Sequence, residues 1–127
     1  MTPDQIRDFC LSLPGTTEQI QWGSDLVFKV ASKMYLVMNT EPPHGYSFKC
    51  SEESFHELTE HPGIIPAPYL ARAHWVKIHP ADCRLPSSQI AGLLRQSYSL
   101  VLSKLPRRTQ QSILSKTQSR IERKAKK

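Results

Sequence analysis

Seven side chains set cationic groups among aromatic rings near strand ends and turns: Trp22, Lys29, Lys33, Lys49, Arg72, Trp75 and Lys77. Lysine and arginine neutralise phosphates and aromatic faces stack on bases, so this mixture suits a nucleic-acid chain. The same residues also read as sheet-surface lysines and core tryptophans. A second grouping, Trp22, Tyr69, Arg72, His74 and Trp75, surrounds the segment Pro66-Ala67-Pro68-Tyr69. An ordered irregular stretch flanked by aromatics and cations can frame a pocket for a small molecule or peptide.

Other chemistries find little footing. His44, His56, His61, His74 and His79 fall in different elements, and the five-residue step from His56 to His61 turns the two rings to different helix faces, so no metal site is expected. Cys50 precedes a helix start and follows Lys49, which favours a thiolate, but no histidine partner is assignable and a buried strand-end thiol is the simpler reading. Glu52 and Glu53 are neighbours on a helix and point about 100° apart, so they suit the helix dipole rather than a shared acid/base site. Five singly spread glycines form no phosphate-cradling loop. The expectation is a non-enzymatic protein without a cofactor.

The 127 residues carry a net charge of +6, very unevenly. Residues 1–105 hold nine Lys/Arg against ten Asp/Glu, whereas 106–127 hold eight against Glu122 alone. Arg107, Arg108, Lys116, Arg120, Arg123, Lys124, Lys126 and Lys127 could together meet about seven or eight phosphates with steep salt dependence and little base discrimination. A solubilising, disordered end accounts for the same composition. Three scattered cysteines, no apolar leader and no long apolar run point to a reducing cytoplasm and no membrane span; a monomer is the default oligomeric state.

The elements that must carry these groups follow from spacing. Thr2-Pro3-Asp4-Gln5 has the cap, first-turn proline and third-position glutamine of a helix start, and Ile6, Phe9, Cys10 and Leu13 trace one buried stripe before Pro14-Gly15. β-rich runs follow through Ile20 and Trp22, then Leu26 to Ala31, Met34 to Asn39 and Tyr46 to Cys50, as an antiparallel meander. A two-residue turn at Ser32-Lys33 pairs Val30 with Tyr35 and Phe28 with Val37, placing Leu26, Phe28, Val30, Tyr35 and Val37 on the core face and Val27, Lys29, Met34, Leu36 and Met38 opposite. Ser51 caps a short helix, residues 64–69 read as irregular, and 73–78 read as a strand. Ile90, Leu93, Leu94, Ser97, Tyr98, Val101 and Leu105 mark a long helix from about Pro86-Ser87. The fold class is therefore α+β over residues 1–105, with 106–127 a basic tail, partly helical or disordered.

The punctuation as an ordered set, Pro14-Gly15, Trp22-Gly23, Phe28-Lys29-Val30 with Lys33-Met34, Phe48-Lys49-Cys50, Pro62-Gly63, Pro66 to Arg72 with Trp75-Val76, and Ser97-Tyr98, resembles the MmcQ/YjbR family from about residue 2 to 108. The resemblance implies helices packed on one face of an antiparallel sheet, similar to the bacterial frataxin (CyaY) fold. It also implies the family's label, a DNA-binding protein whose two β-hairpins form a double wing. The first wing would be the hairpin at Ser32-Lys33, where Ser32 stands in place of the family's frequent glycine, and Glu41–Gly45 or Ala67–Trp75 would contribute the second surface. Asp4 and Asp8, with Arg7 between them, are too few acids for the iron handling that the frataxin comparison raises.

Overall fold

The computed structural model describes residues 1–115. Helix α1 (Pro3–Ser12) starts as its sequence requires: the Thr2 hydroxyl accepts the Gln5 amide and the Gln5 side chain accepts the Thr2 amide. Strands β1 (Thr16–Gln21), β2 (Asp25–Val30), β3 (Lys33–Asn39) and β4 (Tyr46–Lys49) form the antiparallel meander. Ser51 caps α2 (Glu52–Leu58) by accepting the Ser54 amide. Then come β5 (Ile64–Pro66), a 3-10 turn at Ala71–Ala73, β6 (Trp75–Ile78) and the long helix α3 (Ser87–Ser103). Residues 107–115 are again helical.

The six strands lie in the order β1-β2-β3-β4-β6-β5, all neighbours antiparallel. β5 departs from the irregular reading of residues 64–69. Its Pro66 is tolerated because β5 is an edge strand with one side unpaired, where a missing amide breaks no ladder. Helices cover one face. Phe28, Val30, Leu36, Met38, Phe48, Val76 and Ile78 from the sheet pack with Ile6, Cys10, Leu58, Ile90, Leu94 and Tyr98 from the helices in one cluster.

The β2–β3 hairpin departs from the expected register by two residues at its turn and by one residue beyond it. Its turn is Ala31-Ser32, both left-handed (φ 48° and 69°), which matches the strand twist, and it pairs Val30 with Lys33. A bulge at Tyr35 then shifts the ladder, so that Lys29 faces Met34 but Phe28 faces Leu36. Tyr35 and Leu36 both enter the core as a result, Met38 follows, and Val37 is left half-buried on the other face. Leu36 and Met38 thereby leave the expected outer face, where Val27 and Val37 still pair.

The ladder between β3 and β4 ends at Leu36 and Phe48. Beyond it, Ser97 of α3 bridges the gap: its Oγ donates to the Tyr35 carbonyl at 2.6 Å and accepts the Lys49 amide at 3.0 Å. Ser97 is fully buried, so one hydroxyl satisfies the two backbone groups that the bulge strands.

Candidate nucleic-acid interface

The strand register divides the predicted site residues by sheet end. The β2–β3 turn, Lys49 at the end of β4, Trp75 at the start of β6 and Pro66 of β5 share one end. Trp22, with φ 51°, lies beyond β1 in the turn to β2, at the opposite end and on the opposite edge. The predicted pocket of Trp22, Tyr69, Arg72, His74 and Trp75 is therefore not assembled. Trp75 is 4% exposed and borders a groove that does not include Trp22, which is 68% exposed.

The cations divide too. Lys29 sits on the sheet face away from the helices, its ammonium 3.4 Å from Gln19 Oε1. Lys77 shares that face three strands away, about 14 Å across the sheet, beside Gly45. Lys33 and Lys49 instead meet at the end of the sheet. With Met34, Trp75, Val101, Lys104 and Leu105 they line an open groove of about 350 Å³ beneath the C-terminal end of α3.

Three lysines from β3, β4 and the end of α3 thus converge, and among the described residues no carboxylate lines the groove. Burial lowers the Lys49 ammonium below the ordinary lysine value and the Lys104 charge lowers it further, while Cys50 opposes both. Unneutralised positive charge in a concave, partly apolar site is what a phosphate-bearing ligand requires. Lys104 was missing from the sequence reading. Its signal was present: it follows Val101 by three residues and so continues the stripe that faces the sheet.

The connection between β5 and β6 frames the groove on one side. Lys49 Nζ donates to the Ala73 carbonyl at 2.6 Å, the Ala67 amide donates to the Trp75 carbonyl, and the Trp75 amide donates to the Leu70 carbonyl. Arg72 lies on the 3-10 turn within this loop. Tyr69 is fully exposed at φ 67°, a conformation that L side chains other than Asn and Asp rarely adopt. His74 is also left-handed, at φ 60°, and holds its ring 5.6 Å from that of Phe55, tilted by 59°.

The β2–β3 turn does not project as a free ribbon on its β1 side, because β1 pairs with β2 as far as Val30, the last residue before the turn. Its tip, Ala31-Ser32, carries no charge. Arg107 and Arg108 are exposed just beyond Lys104. Their helix is tied back by Gln110, which donates to the Ser103 and Leu105 carbonyls, and by Ile113, which packs against the core beside Gly15. Lys116, Arg120, Arg123 and Lys124 lie outside the described residues.

Thiol chemistry is poorly served. Cys50 Sγ donates to the His74 backbone carbonyl at 3.2 Å, not to its ring, and burial pushes the thiol up to about 11 despite Lys49. Among the described residues no three of His, Cys, Asp and Glu gather as a metal site, and no helix is long and apolar enough to cross a membrane.

A family model for YjbR matches residues 11–100, most of the chain and all six strands. The chain belongs to the YjbR family. A Deinococcus radiodurans protein carrying the DUF419 domain has a similar solved structure, with 32% identity, a TM-score of 0.77, and 88% of this chain and 87% of that chain covered. A Pseudomonas syringae protein shares the fold at 21% identity and a TM-score of 0.66, over 79% of this chain and 98% of that one. No curated protein matches. In this YjbR protein the motif residues Lys33, Lys49 and Trp75 fall inside the matched region and in the groove, whereas Lys104 lies beyond it.

Proposed function

We propose that this YjbR protein binds nucleic acid, DNA in the first instance, as a non-enzymatic cytoplasmic binding protein. The observation that carries the reading is the convergence of Lys33, Lys49 and Lys104 on one groove without a lining carboxylate among the described residues. Arg107 and Arg108 continue the positive charge from Lys104, and the remaining tail cations extend it as a sequence-independent tether. Because residues 1–105 are nearly neutral overall, the proposal puts the specific part of the contact in this groove rather than on a broad basic face.

Binding isotherms over a series of salt concentrations test this. Affinity should fall steeply with salt, and truncation after Ser115, which keeps every described residue, should reduce the slope without abolishing binding. Replacing Lys33 and Lys104 by Gln in the truncated chain should remove most of what remains. Absence of binding to both single-stranded and duplex DNA at low salt, with the full chain, would overturn the proposal.

A further inference from the structure

Resting on that reading, we infer that the interface takes single-stranded rather than duplex nucleic acid, one nucleotide entering the groove while a neighbouring base stacks on Tyr69. The groove is concave, and about 350 Å³ falls in the range of small-ligand sites, roughly 300–1,000 Å³. Its composition matches one nucleotide: Met34, Trp75, Val101 and Leu105 offer apolar walls, and Lys33, Lys49 and Lys104 offer cations for phosphate. In a duplex the base faces are stacked away and proteins reach the base edges with a protruding helix or ribbon. This end of the sheet offers no such ribbon at the β2–β3 turn, where the pairing of β1 reaches Val30 and the tip is uncharged.

Tyr69 supplies the second half of the argument. It is fully exposed on a loop whose backbone is fixed to the groove wall through the Leu70–Trp75 hydrogen bond and through Lys49 on Ala73. An aromatic ring with no protein contact surface, anchored one residue from a groove-lining tryptophan's partner, is a stacking platform that only an unpaired base can use. Arg72, exposed on the same loop, adds a cation for the intervening backbone.

The test compares a fluorescein-labelled mixed-sequence 12-nucleotide single strand, as DNA and as RNA, with the corresponding 12-base-pair DNA duplex, using the full chain and two variants. Tyr69→Asn keeps a residue suited to the left-handed backbone, and Lys104→Gln removes one groove cation. At equal salt a single strand should bind more tightly than the duplex. Tyr69→Asn should weaken single-strand binding about tenfold, leave duplex binding unchanged and leave the salt slope intact. Lys104→Gln should lower the slope by about 0.7 for the single strand. Equal affinity for duplex and single strand, or an unaltered single-strand affinity in Tyr69→Asn, would overturn the inference while leaving nucleic-acid binding standing. No binding to any of the three would overturn both.

Discussion

The ammonium of Lys49 donates to the carbonyl oxygen of Ala73 at 2.6 Å, so a groove cation also holds the end of the 3-10 turn. Lys49→Met should therefore act on two observables. Amide exchange at residues 73–75 should accelerate, and stability should fall by about 1 kcal/mol, because a charge-assisted hydrogen bond at a partly exposed site is lost. Lys33→Met, with no such bond among the described residues, should leave exchange in that loop unchanged.

Ser97 gives a sharper stability test. Ser97→Ala leaves the Tyr35 carbonyl and the Lys49 amide without their shared partner in a buried position. Urea denaturation should show a loss of about 2 kcal/mol with circular dichroism unchanged. A loss of a few tenths would mean that water or a shifted β4 reaches the gap.

Two glycines should respond in opposite directions. A Cβ on Gly63 (φ 82°) would stand 2.6 Å from backbone atoms of Asp82 and Cys83, so Gly63→Ala should cost about 3 kcal/mol in thermal or chemical denaturation. Gly92 lies inside α3 and a Cβ there meets nothing, so Gly92→Ala should stabilise by about 0.5–1 kcal/mol.

The buried thiols predict alkaline behaviour. Burial raises Cys10 to about 12 and Cys50 to about 11 from an ordinary value of 9.0. Because the folded values lie above the unfolded one, their contribution to stability is complete below pH 9 and is lost as the pH rises from 9 towards 11 and 12. Denaturation midpoints should fall over that window, and less so in Cys10→Ala relative to its own value at pH 8. Thiol labelling at pH 8 should modify the half-exposed Cys83 first and leave Cys10 and Cys50 protected until unfolding.

Local interactions were the legible part of this protein. The Thr2–Gln5 capping box, the Ser51 cap and the stripe of α3 each rest on contacts within four residues, and each forms where its residue pattern predicts. The order of family motifs also stated the α+β class and the family correctly. The β3 face was misread because two left-handed non-glycine residues and a bulge set the register, and alternation alone carries no sign of either. β5 escaped because its pairing with β6 spans a loop and places a proline on an edge.

The basic and aromatic residues themselves were determined by the sequence, as was their uneven distribution between domain and tail. Which of them meet was decided only by tertiary structure. Lys33, Lys49 and Lys104 are up to 71 positions apart and come together because β4 lies beside β3 and α3 crosses both, held by Ser97. Trp22 and Trp75 look equivalent in the chain and are parted because pairing sends Trp22 beyond the end of edge strand β1 and Trp75 to the other end of the sheet, at the start of the interior strand β6. Spacing along a chain reports contacts within an element, whereas a groove built from three elements exists only once long-range pairing has chosen its register.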